Sequence, residues 1–93
     1  MGKFNLGTIC MTLGINQAIG ENADFHSFVA LSLFRYASCD WGETCDEDKE
    51  SNDYAVANGE RILAVYKDDN FPTIWIITEW DRSVTTILFP EEY

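Results

Sequence analysis

The sequence predicts an α+β fold, with one or two helices packed on a three- to four-stranded antiparallel sheet that ends in a C-terminal meander. Three observations carry this. Apolar residues recur at helical spacing between Ala23 and Ala37. Three runs rich in β-branched and aromatic residues, RILAVY, PTIWIITEW and SVTTILF, succeed one another near the C-terminus. Length and composition, 93 residues of which 46% are hydrophobic, suit one domain, 1–93, with its own core.

In chain order, Asn5 to Thr12 (NLGTICMT) reads as a short strand interrupted at its start by Gly7, and it is the candidate fourth strand of the sheet. INQAIG then makes about one helical turn before Gly20 stops it. Asn22 or Asp24 caps the main helix, whose Phe25, Phe28, Val29, Leu31, Leu33 and Tyr36 form a broad apolar face. A second helix starts at a Thr44 or Asp46 cap, carries Glu47 and Asp48 where the helix dipole favours negative charge, and stops at Gly59 after Asn58. KDDNF and EWDRS separate the three strands, with Asp81-Arg82 as the last turn. The helices are expected on one face of the sheet. The tail FPEEY leaves the last strand at Pro90 and packs Tyr93 back on the body.

The formal charge of −10, from sixteen Asp and Glu against six Lys and Arg, repels phosphate backbones and argues against direct nucleic-acid binding. No apolar run approaches a membrane span, and MGKFNLGTIC lacks the apolar centre of a signal peptide, so a cytoplasmic protein is expected. Met1-Gly2-Lys3 opens like a myristoylation signal, but Leu6 stands where Ser or Thr is required. Cys10, Cys39 and Cys45 are an odd set without CxxC spacing, which predicts reduced thiols, with Cys10 in the core and the other two partly exposed.

Catalytic and cofactor signals are weak. The sole histidine, His26, reads as a surface residue of the main helix with no assignable partner, and the acids beside Cys39 and Cys45 disfavour a thiolate. An enzyme using either cysteine with His26 is the least favoured reading. No glycine-rich phosphate loop is present, so no nucleotide or other cofactor is expected. Asp46, Asp48 and Glu50 alternate as in a calcium loop, but on a helix they diverge, and the turn glycine and distal Glu are missing. Trp41 and Trp75 are expected in the core, with Trp80 pairing across the last hairpin or serving as an exposed anchor.

The segment CDWGETCDEDKESND, Cys39 to Asp53, concentrates seven of the sixteen acids against one lysine. A solvated face is one reading. The functional alternative is a surface of Asp40, Glu43, Asp46, Glu47, Asp48, Glu50 and Asp53 whose carboxylates occupy the phosphate subsites of a nucleic-acid-binding protein. Asp68, Asp69, Glu79 and Asp81 are a candidate extension, and Trp80 a candidate anchor.

The combination of MTLGIN, CDWGETCDEDKESN and IWIITEWDRSVTTILFPEEY resembles a family of small plasmid- and mobile-element-associated bacterial proteins, over nearly the whole chain. Its members carry labels such as plasmid-related protein or type I restriction endonuclease subunit M. The second label does not fit literally, because the chain has neither the length nor the NPPF-type motif of a methyltransferase subunit. The resemblance implies a setting in which small acidic proteins inhibit host restriction or CRISPR systems, and hence a non-enzymatic inhibitor with a protein partner. The alternative is an accessory plasmid-maintenance protein, a homodimer pairing through a sheet edge or the Trp80 region, in which the acids serve solubility.

Overall fold

The computed structural model describes residues 3–93. Met1 and Gly2, which a myristoylation signal requires, lie outside the described residues. The elements run β1 (Thr8–Met11), α1 (Leu13–Glu21), α2 (Ala23–Ala37), α3 (Asp46–Asn58), β2 (Ile62–Asp68), β3 (Phe71–Thr78), β4 (Val84–Leu88) and a 3-10 turn (Pro90–Glu92). They form one sheet of order β1-β4-β3-β2 with three helices packed against it, an α+β fold. The C-terminal meander is present as expected, β2 and β4 each pairing antiparallel with β3.

Two features differ from the sequence reading. β1 joins the sheet but runs parallel to β4, with Thr8 to Met11 opposite Val84 to Ile87. No hairpin links these strands, so their relative direction is set by the segment that each strand leads into. Both exit at the same rim, where the Glu92 carboxylate accepts from the Thr12 hydroxyl at 2.6 Å and from the Gly14 amide at 3.1 Å. The same contact explains the second difference, that α1 is a nine-residue helix rather than a single turn. A carboxylate placed on the first turn offsets the poor helix propensity of Gly14 and Gly20. A Cβ at position 14 would lie 2.6 Å from a Glu92 oxygen, so glycine makes room for the clamp.

α2 has the expected boundaries because Asn22 accepts from both the Asp24 and Phe25 amides. Its Phe25, Val29 and Tyr36 pack with Ile15 on the face of the sheet made by Ile62, Ala64, Tyr66, Ile74, Ile76 and Ile87. Polar groups in this core are chained. The Tyr36 hydroxyl donates to Thr78 at 2.7 Å, Thr78 and Thr85 share a 2.7 Å bond, and Thr85 donates to the Leu6 carbonyl at 2.6 Å. The chain fixes α2, β3, β4 and the N-terminal segment to one another.

The cluster that α1, α2 and α3 pack against uses only one face of the sheet, and this corrects two further expectations about residues on the other face. Trp75 is only half-buried there, its ring edge-on to Tyr93 at 5.6 Å, which does return to the body. Cys10 is exposed rather than in the core, because it pairs in register with Thr86 at the sheet margin. Trp41 is buried as expected, against Tyr36 and Phe4.

Candidate functional site: the acidic segment

β2 is the last strand of the sheet, so one side of its backbone lacks a strand partner. The acidic segment supplies one. Gly42 forms a parallel bridge with Val65, the Glu43 amide donates to the Val65 carbonyl, and the Val65 amide donates to the Thr44 hydroxyl. Farther along, the Lys67 amide donates to Glu43 Oε1 at 2.9 Å. At the other end of the strand, the Asn52 side-chain amide donates to the Leu63 carbonyl at 2.8 Å and accepts from the Leu63 amide. Leu63, Val65 and Lys67, the alternate residues that face the edge, are therefore capped in turn by Asn52, Thr44 and Glu43.

This use of Thr44 changes the start of α3. The sequence suggests Thr44 or Asp46 as its cap, but the N-cap is Cys45, with no side-chain capping bond, while Thr44 is spent on the sheet edge. Gly42 reaches the edge because its left-handed backbone (φ 62°) carries no Cβ to strike the Tyr66 ring. The end of α3 is as expected, with Gly59 left-handed.

Three of the seven acids are occupied within the fold. Asp40 accepts from Arg35 Nε at 2.9 Å and Nη2 at 3.2 Å, and from the Gly42 amide. The Arg35 hydrogen bond holds the Asp40 carboxyl below the usual carboxylate range, and its reciprocal raises Arg35. Glu43 caps β2 and lies 3.8 Å from the same guanidinium. Asp53 accepts from the buried Trp41 indole at 2.9 Å. All three remain exposed, so the seven acids share one surface, but these three carboxylates are also hydrogen-bonded within the fold.

The other four, Asp46, Glu47, Asp48 and Glu50, lie exposed on the first turns of α3. They diverge as helical geometry requires. Glu47 and Glu50 join Ser51, Tyr54 and Glu60 around an open depression of about 450 Å³, whereas Asp48 turns toward Ser51, Asn52, Arg61 and Leu63. Among the described residues no cluster of three or more His, Cys, Asp or Glu could hold a metal ion. His26 stands exposed on α2, and burial pushes the Cys39 thiol up, the direction opposite to activation.

Trp80 is 67% exposed in the β3–β4 turn. It does not pair across the hairpin, and it lies at the far end of α3 from the four acids. Arg82 marks that end, donating to the Ala55, Glu60, Glu79 and Trp80 carbonyls. This guanidinium ties the last turn of α3 to the β3–β4 turn, a role the sequence gives no local sign of. The proposed extension also divides, with Asp68 and Asp69 at the β2–β3 turn and Glu79 and Asp81 at the opposite end of the sheet.

Among the described residues, no helix is long and apolar enough to cross a membrane. Comparison of the chain with protein-family models, with curated proteins and with solved structures finds no match.

Proposed function

We propose that the chain is a non-enzymatic binding protein of mobile-element origin that docks a basic, nucleic-acid-handling defence protein on the outward face of α3. The observation that carries this reading is the division of labour within the acidic segment. All seven acids are exposed, but Asp40, Glu43 and Asp53 are hydrogen-bonded within the fold, whereas Asp46, Glu47, Asp48 and Glu50 project from a helix anchored by Asn52 and Ala55. Carboxylates on a rigid element can stand in for successive phosphates without the entropy cost of ordering a loop. Tyr54, 59% exposed between Glu47, Glu50 and Glu60, supplies an aromatic contact at the centre of the face. The resemblance to mobile-element proteins supplies the setting, in which a restriction or CRISPR effector is the target class.

The test is capture of host proteins by the wild-type chain at low and moderate salt, beside Asp46→Lys/Glu47→Lys/Asp48→Lys/Glu50→Lys and a control reversing Asp68 and Asp69. The expected result is a nucleic-acid-binding protein retained by wild type and control, lost by the α3 variant and weakened by salt. Retention by the α3 variant would remove the proposal.

A further inference from the structure

The two edges of the sheet are treated differently. Asn52, Thr44 and Glu43 cap β2 along its length, whereas among the described residues the outer side of β1 has nothing comparable. The Thr8 amide donates to the Ser83 carbonyl and the Thr12 amide to the Ile87 carbonyl, so Thr8, Cys10 and Thr12 turn their backbone groups toward β4. By strand alternation, the N–H and C=O groups of Ile9 and Met11 point outward from the sheet. All four residues of β1 are exposed, Ile9 and Met11 at 43% and 41%, and Leu13 beyond them at 80%. An edge carrying apolar side chains and open backbone groups is a template for another strand.

Charge selects the occupant. Two copies of a chain of charge −10 repel each other over most of their surfaces, yet no Asp or Glu occurs before Glu21. Lys3 is the one charged residue in that stretch; the nearby Glu92 carboxylate keeps its charge but is tied back toward α1 by hydrogen bonds from Thr12, Gly14 and the Phe89 amide. β1 is therefore the edge at which a second copy meets the least repulsion.

We infer that this chain self-associates by antiparallel pairing of β1 with β1 of a second copy, on a two-fold axis through Cys10, to make one continuous sheet. The register is dictated by the edge. Centring on Cys10 sets Ile9 opposite Met11 of the other copy, so that both residues exchange hydrogen bonds in each direction. Centring on Ile9 would require Gly7, whose amide is already bonded to Asn5 Oδ1 and whose backbone is left-handed. Centring on Met11 would require Leu13, which is the first residue of α1. In the Cys10 register the two cysteines form a pair without mutual backbone bonds, with Cα atoms about 4.5 Å apart, inside the range a disulfide spans. The pairing leaves α3 at the two outer ends, so it does not depend on the reading of the acidic face.

The test is sedimentation of the full chain at about 150 mM salt, where charge repulsion between copies is screened within roughly 8 Å. Mild oxidation of a Cys39→Ser/Cys45→Ser form accompanies it. The expected species has twice the chain mass of 10.6 kDa, and oxidation locks it as a Cys10–Cys10 dimer. Cys10→Glu, which sets two carboxylates face to face on the axis, should return the monomer, while Cys45→Glu should not. If Cys10→Glu fails to fold by circular dichroism, the Cys10 cross-link alone decides. A monomeric wild type, a dimer that survives in folded Cys10→Glu, or oxidation that leaves Cys10 unlinked would overturn the inference.

Discussion

Thr78 has no solvent exposure and no charge, yet its hydroxyl joins Tyr36 on α2 to Thr85 on β4, and through it to the Leu6 carbonyl. Replacing it by valine keeps the shape and leaves the Tyr36 hydroxyl buried without its acceptor. Thr78→Val should lower the unfolding free energy by about 1–3 kcal/mol in urea titrations, with Thr78→Ser recovering most of the loss. Tyr36 and Tyr66 extend the same logic to pH. Burial pushes both phenols above their ordinary value of 10.0, the Tyr66 hydroxyl donating to the Asp40 carbonyl at 2.7 Å. Above that value the unfolded chain releases protons that the folded chain keeps, so stability is fully present below about pH 10 and falls as pH rises beyond it. Thermal midpoints should drop on the alkaline side, and Tyr36→Phe should flatten the slope; an unchanged slope would count against a buried, protonated Tyr36.

At the scale of elements, the β2 edge is where the fold most depends on residues distant in sequence. Asn52→Ala removes both bonds to the Leu63 backbone, which an aliphatic side chain cannot replace. We expect a loss of about 1–3 kcal/mol and, at elevated concentration, new β-rich aggregation through the opened edge, monitored by light scattering. Unaltered stability and solubility in Asn52→Ala would mean that the edge is protected by other means. What is legible in the sequence divides along the same line. α2 can be placed because its cap, Asn22, and its apolar period are contained in the element, and the meander because its strands pair with their neighbours. α1 reads as too short because its first turn is held by Glu92, 78 residues away. Thr44 looks like a helix cap when only its local neighbours are visible, and Cys10 looks like a core residue because an apolar run does not say that its strand will lie at the edge of the sheet. Of the candidate site, the charge density can be read directly. Which carboxylates are free cannot, since Arg35, Lys67 and Trp41 claim theirs through tertiary contacts.

For the whole molecule, the central contrast is between two sets of exposed acids in one segment, those whose carboxylates are hydrogen-bonded within the fold and those on the first turns of α3 that are not. The sets make opposite predictions for stability. Exposed carboxylates on α3 gain a little from the helix dipole and lose a little to self-repulsion in a chain of charge −10, so their net effect on folding is small. The most direct measurement is urea unfolding of two variants beside wild type, Asp46→Asn/Glu47→Gln/Asp48→Asn/Glu50→Gln and Asp40→Ala/Glu43→Ala/Asp53→Ala. The α3 variant should stay within about 1 kcal/mol of wild type, while the second loses about 2–4 kcal/mol as Arg35, Lys67 and Trp41 lose their acceptors. Equal losses, or a larger loss in the α3 variant, would contradict the division and return the whole acidic segment to a structural role.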